Sequence, residues 1–196
     1  MIDLQIFCDL ERDYLSKPFS LGDYSYATNG HIALRLPRRD DVKQAQHVKA
    51  EKAANAINSY IDTGQKTTGP LLPIPDGELP AWKGEPCNFC DGKGELDHCP
   101  TCDQPCKCPE CDGTGEIRGD HPGVEIAPGA IVSAVYLGWI RALPSPRFRV
   151  TLYKDERAEI YFEFDGGAGV VMGRRPTSTD VSLVKHNDPV TQEPCS

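Results

Sequence analysis

The chain has 196 residues, 39% of them hydrophobic, which suffices for one medium domain or one domain carrying a small insert. Asp and Glu number 29 against 21 Lys and Arg, so the net charge is −8 and attraction to phosphate is restricted to local basic patches. No apolar run approaches the ~20 residues of a membrane helix, and the start "MIDLQIFCDLERDYL" mixes acidic with apolar residues and has no basic n-region. The expected compartment is the reducing cytosol, where clustered cysteines bind metal more often than they form disulfides.

The first element signal is "YSYATNGHIALRL". Asn29-Gly30 is the preferred pair for a type I′ turn, and β-like segments flank it. On the return strand Ile32, Leu34 and Leu36 face one way and His31, Ala33 and Arg35 the other. "DDVKQAQHVKAEKAANAINSYIDTG" reads as a helix, with Asp40 or Asp41 capping its start and Gly64 its end. Ala50, Ala53, Ile57 and Ile61 form its apolar stripe. "QKTTGPLLPIPDGELPAWKGEP" is a Pro/Gly-rich connector without periodicity.

The connector leads into "CNFCDGKGELDHCPTCDQPCKCPECDGTG", which holds seven of the nine cysteines. A structural zinc wants four ligands, commonly thiolates in pairs two residues apart, because such a turn aims both sulfurs at one ion. Three pairs occur: Cys87/Cys90, Cys99/Cys102 and Cys108/Cys111. The outer two are separated by 17 residues, within the range of a four-cysteine site. Each outer pair is followed by Gly-x-Gly, which lets the backbone take positive φ and turn N–H groups toward sulfur. Cys8 lies in an apolar stretch and reads as a core residue; Cys195 lies in a polar tail and reads as a free thiol.

These repeats resemble the cysteine-rich zinc domain of DnaJ co-chaperones, built from C-x-x-C-x-G-x-G units. The resemblance covers about 30 residues, and no J-domain His-Pro-Asp tripeptide occurs. It implies that the first and last units share one zinc, on Cys87, Cys90, Cys108 and Cys111. A second ion would then fall to Cys99, Cys102 and Cys106, with His98 as its fourth ligand. The middle pair departs from the family pattern, since no glycines follow it.

After the cluster, "PGAIVSAVYLGWIRALP" reads as a second helix with Pro128 in its first turn and Ile131, Val132, Val135, Trp139 and Leu143 on one face. "RFRVTLYKDERAEIYFEFDGGAGVVMGRR" reads as a three-stranded meander. Phe148, Val150 and Leu152 alternate with polar residues, as do Ile160, Phe162 and Phe164, so one sheet face is buried. The tail from Pro176 is polar, though "DVSLVKH" could add an edge strand. The expected fold is α+β: an antiparallel sheet with two helices, interrupted by a small zinc-binding β-hairpin insert. The scaffold spans 1–80 and 120–175, the insert 86–116 and the tail 176–196. "ATNGHIAL" is similar to the A-T-D-G-H-R-L-A turn of bacterial sliding-clamp domains, and the overall layout resembles uncharacterised phage or prophage proteins. The first likeness implies a clamp-like, DNA-associated domain; the second implies a setting without a mechanism.

No catalytic constellation emerges. His31 on an outward strand face, His47 amid polar helix residues and His121 in "GDHPGV" each read as solvated side chains. "DGGAG" precedes a strand, so it lacks the helix end that a phosphate loop uses. All-thiolate zinc is coordinatively closed. The deaminase pattern fails because no His-x-Glu precedes "PTC" or "PEC". The expected function is therefore a non-enzymatic, zinc-dependent protein-interaction module, contacting a protein partner or a second copy through the zinc finger. The alternative is a nucleic-acid-associated factor using Arg35, Arg38, Arg39 and Lys43, or Arg147, Arg149, Arg174 and Arg175. The meander arginines equally suit cross-strand pairing with Glu159 and Glu163.

Overall fold

The computed structural model describes residues 2–81, 84–97, 105–111, 113–117, 121–154, 157–178 and 180–184. Two compact units result: Met1–Leu79 with Gly123–Ser196, and Pro80–Pro122. The first unit contains β1 (Phe19–Leu21), β2 (Tyr24–Thr28), β3 (Ile32–Pro37), α1 (Val48–Lys66) and β4 (Leu72–Pro73). Four two-residue strands belong to the second unit: β5 (Glu85–Pro86), β6 (Glu95–Leu96), β7 (Cys106–Lys107) and β8 (Glu116–Ile117). The chain then returns to the first unit with β9 (Gly123–Ala127), β10 (Ala130–Ser133), α2 (Ala134–Arg141), β11 (Arg147–Lys154), β12 (Arg157–Phe164), β13 (Gly167–Met172) and β14 (Val181–Ser182).

Seven strands form one antiparallel sheet in the order β1-β2-β3-β13-β12-β11-β4. With the two α-helices of the described residues, the chain is α+β. The meander β11-β12-β13 joins the N-terminal hairpin through β13 and β3, where Leu34 lies opposite Gly169. Gly169 has no room for a side chain, because a Cβ there would strike the Phe162 ring and the Ala33 carbonyl. A smaller sheet, β10-β9-β14, has β14 running parallel to β9, so part of the tail from Pro176 is ordered as an edge strand.

The large sheet is covered on both faces, where alternation indicated one. Ile32, Leu34 and Leu36 of β3 join Phe148, Ile160, Phe162 and Phe164 in a core shared with β9, β10 and α2. On the other face Tyr26, Ala33, Tyr161 and Ala168 pack against Ala50, Ala54, Ile57 and Ile61 of α1. The second face escaped the sequence pattern because it is built from alanines and tyrosines. Small residues let the helix approach, and each tyrosine carries a polar end that finds a partner. Tyr26 donates to Asn58 at 3.1 Å and Tyr161 to Glu163 at 2.5 Å.

Several expected boundaries move. The N-terminal hairpin turns on Gly30-His31, and only Gly30 takes positive φ, which rules out type I′. Asn29 braces this turn by accepting from the His31 and Ile32 N–H groups at 3.0 and 3.1 Å. The first helix begins at Val48, with neither Asp40 nor Asp41 as its cap. The preceding residues instead line β1: Ser20 donates to the Lys43 carbonyl, and Ala45 donates to that of Ser20. His47 is the cap, accepting from the Lys49 N–H through Nδ1 at 3.0 Å while stacking on Tyr14. Gly64 does not end the helix. It sits inside α1, where a Cβ would strike the Tyr161 ring, and Ala54 replaces Ala53 on the buried stripe.

The second helix is shorter than its pattern. Residues from Ala130 to Ser133 form β10, because Pro128 and Gly129 (φ 73°) make a hairpin turn back onto β9. Leu137 and Ile140, with Ala134, are the buried residues of α2; Trp139 is partly buried, edge-on to Phe7 at 5.6 Å. The Pro/Gly connector is also anchored. Leu72 and Pro73 pair with β11, and Arg141 grips the carbonyls of Gly77 and Pro75 at 2.7 and 2.5 Å.

Asp180 staples the tail to the start of β9. Its carboxylate accepts from the Gly123 N–H at 3.0 Å and from the Thr177 N–H and hydroxyl, each at 2.7 Å. Burial disfavours its charge, but these donors and Arg174 outweigh burial and hold the carboxyl below its ordinary value. A lowered carboxyl stabilises the fold above its unfolded-state titration, and that contribution is lost as pH falls through the folded-state value. Asp180→Asn should therefore cost about 2 kcal/mol at neutral pH, with the gap to the parent narrowing steadily in acid. Urea titrations of both proteins across the acid range check this; a gap independent of pH contradicts it.

Candidate metal centre

The second unit brings together two copies of one local motif, 21 residues apart: "CNFCDGKGEL" from Cys87 and "CPECDGTGEI" from Cys108. Each copy makes the same bonds. Gly92 donates to the Cys87 carbonyl at 3.0 Å, and Gly113 to that of Cys108 at 3.2 Å. Lys93 donates to the Cys90 carbonyl, and Thr114 to that of Cys111. Finally Gly94 N–H points at Cys90 Sγ at 3.2 Å, and Gly115 N–H at Cys111 Sγ at 3.3 Å.

The two copies are also tied to each other. Cys87 N–H donates to the Gly115 carbonyl at 2.9 Å, and Cys108 N–H to the Gly94 carbonyl at 2.8 Å. Gly94 and Gly115 adopt φ of 76° and 77°, where a side chain is strained. A Cβ on Gly94 would stand 2.5 Å from the Gly113 carbonyl oxygen, and one on Gly115 would strike that of Gly92. Glycine is thus demanded twice over, by conformation and by the close passage of the partner knuckle.

The result is a group of four buried thiols, Cys87, Cys90, Cys108 and Cys111, whose sulfurs all lie within 4.8 Å of one another. Cys87 and Cys108 sulfurs are 3.7 Å apart, and those of Cys90 and Cys111 are 3.8 Å apart. A regular tetrahedron around an ion with ~2.3 Å metal–thiolate bonds has an edge of about 3.8 Å. The four sulfurs are close enough to hold one metal ion, and these two separations match the edge of a tetrahedral thiolate site.

Their acidities are unequal. Burial disfavours the Cys111 thiolate, yet the Gly115 N–H and the neighbouring Cys108, Cys90 and Cys87 thiols bring it down to about 7. Burial, with the hydrogen bonds to the Cys111 and Cys87 sulfurs, pushes Cys108 up to about 12. Cation binding offsets that rise, so loading a metal here expels protons.

Cys106 lies in β7, half-buried and outside this group of four. The other ligands expected for a second ion, His98, Cys99 and Cys102, fall outside the described residues, as does Cys195. Cys8 is partly buried against the main core, and burial raises its thiol to about 11. His31 is exposed and stacked on Tyr136 at 6.4 Å, and His121 is exposed. Asp165 and Gly166 form the turn between β12 and β13, with Gly166 at φ 101°.

The basic residues proposed for phosphate are largely engaged within the chain. Arg35 pairs with Asp62 at 3.2 Å and Arg39 with Asp41 at 2.5 Å. Arg38 bonds the Gly22 carbonyl and Gln44. Arg147 stands opposite Glu163 in the β11-β12 register, but Arg149 stands opposite Tyr161 and donates to the Thr67 carbonyl. No family model, curated protein or solved structure matches the chain. Sequence reasoning had the four sulfurs but not the bonds between knuckles, whose signal was the 21-residue repeat of the whole decapeptide.

Among the described residues, Leu96 is the partly buried apolar side chain that packs on the sulfurs. Phe89 points outward and is 51% exposed. Among the described residues of this unit little apolar surface is buried, so an ion bound by the four thiols would supply much of its folding free energy, on the order of 10 kcal/mol for a structural ion. A strong chelator should therefore open the Cys87–Cys111 region to thiol reagents while the far-ultraviolet dichroism of the sheet unit persists. Cooperative loss of the whole spectrum contradicts this division.

Proposed function

We propose that this chain is a non-enzymatic zinc protein whose metal unit serves protein–protein contact. The observation that carries the reading is the closed set of four buried thiols with Phe89 exposed beside it. Zinc matches the donor set: it accepts four thiolates tetrahedrally and has no redox chemistry of its own. Four protein ligands leave no coordination position for water or substrate, so the ion is structural. The likeness to DnaJ zinc units, which serve polypeptide recognition, points the same way.

Contact with a protein suits the surface better than contact with nucleic acid. Glu85, Asp91, Glu95, Asp97, Glu110 and Glu116 surround the site, against Lys93 and Lys107. A four-thiolate zinc centre adds two further negative charges. Such a surface repels phosphate and complements a basic polypeptide, with Phe89 as an apolar anchor.

Elemental analysis of protein purified without added metal should give about one equivalent of zinc per chain; iron in its place, or zinc well below one equivalent, overturns the metal assignment. The contact is tested separately. Phe89→Ala, and a chain with residues 86–116 replaced by a short Gly/Ser linker, should both lose the partner or self-association of the parent. If the linker form folds and keeps both, the sheet unit is the contact surface and the reading fails.

A further inference from the structure

The α1-facing side of the large sheet contains a polar cleft that neither the metal unit nor the core accounts for. Its floor is Ala168 on β13. Across the sheet Ala168 lies between Arg35 of β3 and Glu163 of β12, its direct register partners on either side. Two strand spacings put the flanking backbones about 10 Å apart. Both long side chains line one cleft of about 260 Å³, with Tyr24, Gln65 and Tyr161 completing its wall. That volume lies below the ~300–1,000 Å³ of drug-sized sites, which restricts the occupant to a small molecule.

Each charged group is fixed in place, and each retains unused hydrogen-bonding capacity. Arg35 spends Nη1 on Asn58 at 3.0 Å and Asp62 at 3.2 Å, with its guanidinium 4.8 Å over the Tyr24 ring. Its Nε and Nη2 have no partner among the described residues, although the side chain is only 11% exposed. Glu163 is positioned through Oε1 by the hydroxyl of Tyr161, whose ring is fully buried and which Gln65 also contacts. Its Oε2 has no described partner. The cleft therefore presents a cationic donor edge on one side and an anionic acceptor on the other, with one small residue between.

The charge pattern selects the ligand. A simple anion would meet the Glu163 carboxylate, a simple cation would meet Arg35, and an apolar guest would bury both groups unpaired. A molecule carrying a carboxylate and an ammonium satisfies both edges with charge-assisted hydrogen bonds. We propose that this cleft binds a free α-amino acid, its carboxylate on the Nε/Nη2 edge of Arg35 and its ammonium on Glu163 Oε2. This site is independent of the metal unit and of what that unit contacts.

The test is calorimetric titration of the intact, metal-loaded chain with glycine, L-glutamate, L-lysine and L-phenylalanine, each beside its N-acetyl and carboxamide derivatives. At least one free amino acid should bind, and both of its derivatives should bind about tenfold more weakly or worse, since each lacks one charge. Glu163→Gln should weaken the same ligand about tenfold. The proposal is overturned if no free amino acid binds, if the blocked derivatives bind equally well, or if folded Glu163→Gln binds like the parent. Should that variant not fold, the comparison with blocked ligands decides alone.

Discussion

Four sulfurs within 4.8 Å of one another lie at the centre of a segment whose described residues offer little else to hold it. Its strands β5 to β8 are two residues long, far short of what a free-standing hairpin needs. Its largest described apolar side chain, Phe89, is turned outward. The convergence of the thiols therefore fixes everything nearby: the reciprocal bonds between Cys87 and Gly115 and between Cys108 and Gly94, the positive φ of those glycines, and the exposed position of Phe89. An ion bound by these four thiolates would give each of these features a common cause.

The sheet unit rests on the opposite principle. Its antiparallel sheet buries both faces, one against α1 and one against β9, β10 and α2, so apolar contact supplies cohesion without an ion. Buried hydroxyls in its interior are matched locally: Ser20 and Ser25 hydroxyls meet at 2.8 Å, and Thr28 bonds the Ile32 carbonyl at 2.8 Å. The chain thus divides between a unit built on an apolar core and a unit gathered around four buried thiols.

Legibility in the sequence followed the strength of local signals. The meander was plain because Ile160, Phe162 and Phe164 alternate with Glu159, Tyr161, Glu163 and Asp165, and the thiol pairs were plain because their spacing has few other uses. What misled was residues whose role is set by distant partners. Ala130 to Ser133 suit a helix by themselves, but pairing with β9 claims them as a strand. Asp40 and Asp41 look like caps, yet the residues after them are spent lining β1. Gly64 looks like a helix end and is instead the gap into which the Tyr161 ring fits. The cleft over Ala168 was invisible for the same reason, since strand order brings Arg35 and Glu163 to it and the packing of α1 brings Gln65.

The central claim is that one ion, held by thiolate from Cys87, Cys90, Cys108 and Cys111, defines the second unit. X-ray absorption at the K edge of the metal carried by the native protein tests it most directly. The account predicts a first shell of about four sulfurs at ~2.3 Å that disappears in a variant with serine at all four positions. A first shell dominated by nitrogen or oxygen, or a sulfur shell unchanged in that variant, would contradict it.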